Sequence, residues 1–266
     1  MIKLVATDID GTILGKSGEF TSGVKSCIST LQEKGIKVVL VTGRMFAAAK
    51  QIAKRLGLTT PVVAYQGGMI VKHCDSNEKL YNACIPEEDV NKIIAWSKTN
   101  NAHINLYAND ILYVEEDNSI IKKYAKIQNI DYKVCSFDDI ERKNINKLLA
   151  IDYESPERVT SWVKECQNAM SHLYIVKSTP WFCEFSTQEA TKACAVDILK
   201  KYWNLKDEEV LTIGDQDNDI ELLKAGGISV AMGNATEELK KYADYITDTV
   251  DDDGFVKAME EFVLVD

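Results

Sequence analysis

The chain opens Met1-Ile2-Lys3-Leu4-Val5-Ala6-Thr7-Asp8-Ile9-Asp10-Gly11-Thr12, a short apolar run that ends in two acids and a glycine. Residues 2–7 read as a buried strand, too short for a signal peptide and followed by no cleavage site. A second run, 36–41, has the β-branched content of a parallel strand covered on both faces. Between them Thr21 or Ser22 can cap a helix that places Val24, Ile28 and Leu31 on one face and stops at Gly35. Outward from there the alternation continues, with helix 45–56 closed by Gly57 and strand 62–64 after Pro61. It returns in the last third as helix 192–203, strand 210–213, helix 220–224, strand 228–231 and closing helices at 236–242 and 255–263. Such alternation predicts an α/β fold: a doubly wound, mostly parallel, Rossmann-like sheet with helices on both faces.

The middle of the chain reads differently. After a strand near Leu80 come helix 86–100, strands 103–107 and 111–114, and helix 119–127. Strand 147–151, helix 156–168 and strands 173–177 and 182–186 follow. Asn109-Asp110 and Thr179-Pro180 join adjacent strands by short turns, which implies antiparallel pairing. An α+β domain inserted at 84–187 is therefore expected, with 1–83 and 188–266 forming one discontinuous core. There is no internal repeat.

Four groups of polar residues fall at strand ends or helix starts of that core. In an open α/β sheet the ligand crevice lies outside the carboxyl ends of the strands, so Asp8 and Asp10 should face it. Two carboxylates one residue apart, followed by Gly11, suit a hard cation such as Mg²⁺. A free carboxylate is also a competent nucleophile for making an aspartyl phosphate. Thr42-Gly43-Arg44, after the second strand, offers a hydroxyl and backbone N–H groups to phosphate oxygens. Lys192 opens a helix as a point charge suited to phosphate, and Gly214-Asp215-Gln216-Asp217-Asn218-Asp219 adds metal carboxylates and an amide. Each alone reads more readily as a solvated turn or an ordinary helix start. Their joint occurrence in this order does not.

Together Asp8-Ile9-Asp10-Gly11-Thr12, Thr42-Gly43-Arg44, Lys192 and Gly214-Asp215 with Asn218-Asp219 resemble the four motifs of the haloacid dehalogenase superfamily. The large insert resembles the type 2B cap of its Cof-type phosphatases. The resemblance spans essentially the whole chain. It implies that Asp8 is the nucleophile and a Mg²⁺ ligand, and that Asp10 is general acid then base, with its backbone carbonyl on the metal. Thr42 and Lys192 would join them as catalytic groups. Ile9, Gly11, Thr42, Gly43, Arg44, Lys192 and Asn218 would hold phosphate or substrate, and Asp215, with Asp219 behind it, would complete the metal site. The implied activity is Mg²⁺-dependent hydrolysis of small phosphorylated metabolites, sugar phosphates or phosphorylated cofactors, through an aspartyl phosphate. A phosphomutase or a disaccharide-phosphate phosphatase would carry the same motifs. Two departures bear on substrate preference: Gln66-Gly67 stands where Asn-Gly is frequent, and Glu189-Ala190-Thr191 where Gly-Val-Ser is frequent.

Composition sets the outer limits. Apolar residues at 45% and charged residues at 27% describe an ordinary globular chain of 266 residues. Its 31 Lys+Arg against 41 Asp+Glu give a net charge of −10, which disfavours nucleic acid and anionic membrane as partners. No run approaches the ~20 apolar residues of a membrane span. The seven cysteines are scattered without a CxxC pair, as expected for free thiols in a cytoplasmic protein, a monomer or weak homo-oligomer.

Rival motifs fail on spacing. A calcium loop begun at Asp215 has Ile220 where Gly is needed and Gly226 where Glu is needed; begun at Asp8 it has Ile13 at the Gly position. A phosphate loop ending Gly15-Lys16-Ser17 has Asp10 where its first Gly should be, and no cysteine has Arg six residues on. His73, His103 and His172 lack metal spacing and read as structural, and Trp96, Tyr107, Tyr113, Trp162 and Trp181 of the insert read as core.

Overall fold

The computed structural model describes residues 1–265. In chain order the first elements are β1 (Leu4–Thr7), α1 (Ser22–Glu33), β2 (Lys37–Val41), α2 (Phe46–Arg55), β3 (Val62–Ala64), β4 (Met69–Val71) and β5 (Lys79–Asn82). Next come α3 (Glu87–Thr99), β6 (His103–Ala108), β7 (Ile111–Val114), α4 (Ser119–Gln128), β8 (Tyr132–Val134), β9 (Ile145–Ile151), α5 (Pro156–Ala169), β10 (Leu173–Thr179) and β11 (Phe182–Thr187). The chain closes with α6 (Lys192–Trp203), β12 (Val210–Gly214), α7 (Ile220–Lys224), β13 (Ile228–Ala231), α8 (Glu237–Lys240), β14 (Tyr245–Ile246) and α9 (Gly254–Phe262). Two compact units result: Met1–Arg44 with Ala49–Leu80 and Thr191 onward, and Met45–Ala48 with Tyr81–Ala190.

The first unit is built on the sheet β14-β13-β12-β1-β2-β3-β4-β5. From β14 to β3 every neighbouring pair is parallel, and β4 turns back antiparallel on β3. This is the expected doubly wound α/β sheet. All four residues of β1 are buried, because it has strands on both edges and helices over both faces. Helix α1 begins where the Thr21 Oγ1 accepts from the Val24 N–H. It ends at Gly35, φ +76°, where the Ile36 N–H reaches back to the Leu31 carbonyl. Strand order reverses direction at β1: β2 and β3 lie on one side and β12, β13 and β14 on the other. Such a switch point opens a crevice at the carboxyl ends of the central strands.

The second unit carries the sheet β10-β11-β9-β6-β7-β8. Ile104, Leu106, Leu148, Ala150, Cys183 and Phe185 meet Ile93 and Ile94 of α3 and Trp162, Val163 and Cys166 of α5 in one core. Alternation of apolar residues along β6 and β11 thus buries one sheet face under two helices. Asn109 and Asp110, φ +52° and +61°, make the tight β6–β7 turn. β7 and β8 pair in parallel, since α4 lies between them as a crossover. Of the aromatics read as core, Trp96 packs edge-on against Trp162 at 5.6 Å, Tyr113 packs against the cluster, and the Tyr107 hydroxyl bonds that of Tyr124 at 2.6 Å. Trp181 is only half-buried and lies beside Tyr153.

Candidate active site

Strand register delivers the first and last motifs of the site to each other. Thr7 pairs with Ile213, and the Asp8 N–H donates to the Ile213 carbonyl at 3.0 Å, so Asp8 and Asp215 leave adjacent strands side by side. Gly11 follows with φ +83°, and a Cβ there would collide with the Asp215 carboxylate. Glycine is required at that point by both the backbone and the close approach.

Helix α6 supplies the cation. The Thr191 Oγ1 accepts from the Cys194 N–H at 3.2 Å and so fixes the start of the helix, with Lys192 as its first residue. Lys192 is 2% exposed, and its Nζ lies 2.6 Å from Asp8 Oδ1 and 2.5 Å from Asp219 Oδ1. Asp219 is fully occupied, because its Oδ2 also accepts from the Asp215 and Gln216 N–H groups at 3.0 and 3.1 Å. Asp215 is oriented by Thr12 Oγ1, donating at 3.2 Å to Oδ1, and by Gln216 Nε2, donating at 2.6 Å to Oδ2.

Oxygen atoms of Asp8, Asp215 and Asp219 all lie within 4.8 Å of one another, close enough to hold a cation together. Three carboxylates face one ammonium here. Burial pushes the Asp8 carboxyl well above its ordinary value; Lys192 opposes this, while Asp219, Asp215 and Asp10 add to it. Burial also raises Asp215, to about 6, against the hydrogen bond from Gln216. Burial works to lower the Lys192 ammonium, but Asp219 and Asp8 overcome it and hold the group charged.

The other predicted residues are distributed around this cluster. Thr42 is buried and its Oγ1 accepts from the Arg44 N–H at 3.2 Å. Asn218 Nδ2 donates to Gln66 Oε1 at 3.2 Å. Ile9 has a fully buried side chain, so only its backbone is available to a ligand. The Asp10 carboxylate lies outside the acidic cluster, half-exposed, and Arg44 grips it with Nε at 2.7 Å and Nη2 at 2.6 Å. Arg44, read from sequence as a phosphate group, is thus paired in a two-pronged fork with the neighbouring acid. Asp217 accepts from Thr236 Oγ1 at the start of α8, away from the cluster. His103 bonds Asn105 and Asn118, His172 bonds Asp89, and the His73 Nδ1 accepts from the Asp75 N–H.

Three supporting residues carried no assigned role in the sequence. Thr12 and Gln216 orient Asp215, and Gln66 touches Asn218. Thr12 and Gln216 stand inside the quoted motifs; Gln216 is the next residue after Asp215, whereas the reach of Thr12 to Asp215 is visible only in the register.

The model of the haloacid dehalogenase-like hydrolases matches residues 5–259, and the chain belongs to that family. A putative phosphatase of Streptococcus pyogenes is 29% identical over 99% of both chains. The 5-amino-6-(5-phospho-D-ribitylamino)uracil phosphatase of Bacillus subtilis is 29% identical over 99% of this chain and 96% of its own. Among solved structures, a haloacid dehalogenase-like hydrolase from Bacteroides thetaiotaomicron superposes with a TM-score of 0.89 at 29% identity, covering 98% of this chain and 99% of its own. The protein is a phosphatase of this hydrolase family.

Proposed function

We propose that the chain hydrolyses small phosphorylated metabolites with Mg²⁺, through a phosphoryl group carried transiently on Asp8. The observation that carries this reading is the buried Asp8 carboxylate held 2.6 Å from Lys192 beside Asp215 and Asp219. The donors for a cation, the Asp8 and Asp215 carboxylates and the Asp10 carbonyl with Asp219 behind them, are all oxygens, which fits Mg²⁺ better than a soft or imidazole-seeking metal. Bound by Asp8 and Asp215, the ion would neutralise charge on the phosphoryl oxygens.

The chain's own groups do the rest. Lys192, Thr42, Gly43 and Asn218 hold the phosphate against Asp8. The Asp8 oxygen bonds to phosphorus as the bond to the leaving oxygen breaks, and Asp10 gives that oxygen a proton. Water then attacks the acyl phosphate, its proton passing to Asp10, and the Asp8–phosphate bond breaks. Asp10, at the exposed edge of the cluster, is suited to exchange protons with alcohol and water.

The Bacillus relative, by its name, acts on a phosphorylated ribityl compound, which supports a small polar phosphate ester as substrate. The inserted unit at 84–187 serves in this reading as a cap that selects among such esters. All seven cysteines are free, which supports a reducing, cytoplasmic setting. Among the described residues no helix is long and apolar enough to cross a membrane.

Rapid acid quench of a single turnover on a ³²P-labelled ester, with enzyme in excess, tests the mechanism. Phosphate should appear covalently on the protein at early times, in a bond that hydroxylamine cleaves, and should be absent from Asp8→Asn. Ester consumed with no protein-bound phosphate at any quench time would mean direct attack by water and would refute the covalent route. Full activity after exhaustive chelation would refute the metal requirement.

A further inference from the structure

The turn after β3 meets three of the four motifs. Tyr65, Gln66 and Gly67 all have left-handed backbones, with φ of +54°, +59° and +108°. Glycine adopts this freely, whereas for tyrosine and glutamine it is uncommon, and strain of this kind persists where the surroundings impose it, often at functional sites. Here the surroundings are the site itself. The Tyr65 N–H donates to the Arg44 carbonyl at 2.9 Å and the Gln66 N–H to the Thr42 carbonyl at 3.0 Å. Gly67 lies so close to the Thr191 carbonyl, at the start of α6, that a Cβ would collide with it.

The conformation aims one side chain. Gln66 is 6% exposed, and its Oε1 accepts from Asn218 Nδ2 at 3.2 Å. Its Nε2 lies against Gly43, where a Cβ would strike it, and among the described residues it donates no hydrogen bond. This nitrogen is not sealed from solvent, so water meets it in the free protein and a ligand oxygen can take that water's place. Gly43 and Asn218, which flank it, are both phosphate-holding in the proposed function.

We propose that Gln66 is a further substrate-binding residue, its Nε2 donating to a phosphoryl oxygen while its Oε1 holds Asn218. The proposal rests on the phosphatase reading of this site. Because the contact is to the phosphoryl group, it is shared by every ester whatever the alcohol.

Two variants test it in the full chain with Mg²⁺. Gln66→Asn keeps a carboxamide one methylene too short to reach, and asparagine tolerates the left-handed backbone better than glutamine. Gln66→Glu keeps an acceptor for Asn218 and replaces the donor with an anion. The readouts are the Ki for inorganic phosphate and for orthovanadate, KM and kcat on p-nitrophenyl phosphate and on two alkyl phosphates, and thermal unfolding. Expected is a Ki raised about 10-fold in Gln66→Asn and about 100-fold in Gln66→Glu, as for loss of a hydrogen bond to a charged group. KM should rise in parallel on all esters, with kcat and melting temperature little changed. Wild-type turnover in the same series secures the phosphatase reading separately, so the variants bear on Gln66 alone. An unchanged Ki in both variants overturns the proposal, and so does a loss confined to some esters or a fall in kcat at constant Ki.

Discussion

Replacing Asp215 by asparagine should stabilise the metal-free protein at neutral pH. Asp215 is buried, and its pKa is raised from 3.8 to about 6. A shift of about 2 units corresponds to roughly 3 kcal/mol of unfavourable interaction for the ionised folded form. The raised value means that the folded state binds the proton more tightly than the unfolded state. Below about pH 4 both states are protonated and nothing is lost; as pH rises from there to about 6 stability falls, and above 6 the full penalty stands. Asparagine carries no charge and escapes it. Its Oδ1 still accepts from Thr12, but its Nδ2 would face the Gln216 amide that now donates to Oδ2 at 2.6 Å, at a cost of about 1 kcal/mol. The net gain is about 2 kcal/mol at pH 7.5, or roughly 4–8 °C in melting temperature for a chain of this size, reversing to a loss of about 1 kcal/mol near pH 4. Thermal unfolding in EDTA followed by circular dichroism at both pH values reads this directly. Adding Mg²⁺ at pH 7.5 should raise the wild-type midpoint more than that of the variant, because the ion binds the folded carboxylates. An Asp215→Asn protein less stable than wild type at pH 7.5, or a difference that does not change sign with pH, would refute the electrostatic account.

Further outcomes follow from the same geometry. Lys192→Met should abolish turnover and destabilise the fold by roughly 3–5 kcal/mol in chemical denaturation, since Asp8 and Asp219 are left buried without their cation. Arg44→Lys keeps the charge but loses the two-pronged grip on Asp10, so kcat should fall about 10-fold on alkyl phosphates and much less on p-nitrophenyl phosphate, whose leaving group departs without a proton. Gly11→Ala should cost at least about 2 kcal/mol and weaken Mg²⁺ binding measured by calorimetry, because the new Cβ displaces the Asp215 carboxylate.

The order of elements was legible because long apolar runs and helix ends announce themselves: Thr21, Gly35 and Gly57 begin or end helices where expected. Met69–Val71, Tyr132–Val134 and Tyr245–Ile246 were not, since two or three residues hold no periodicity and these strands form only by pairing with a neighbour already in place. The parallel pairing of β8 with β7 escaped for a related reason: hairpin turns are written locally, whereas a crossover through α4 is settled by the twist of the sheet. In the site, the residue types were readable and their partners were not. Nothing near Lys192 in the chain states that its ammonium spans Asp8 and Asp219, contacts made across 184 and 27 residues. Gln66 stood out only as a departure from a frequent Asn-Gly, and its reach to Asn218 depends on a backbone conformation that glutamine seldom takes.

Asp8 and Asp10 show why a motif needs its fold. Two residues apart on one extended strand, they would share a face and an environment. β1 stops at Thr7, however, and after Ile9 buries its side chain the backbone turns at Gly11, φ +83°. Asp8 is drawn under α6 into contact with Lys192, and Asp10 is left half-exposed against Arg44. The proposed roles require this divergence. A nucleophile gains from a dry and fixed setting, where its charge is balanced by partners that do not need to reorganise. An acid that later acts as a base must reach both the departing alcohol and the arriving water, so it has to sit where solvent can enter. Exchanging the two environments while keeping both aspartates would leave the motif intact and the chemistry unsupported.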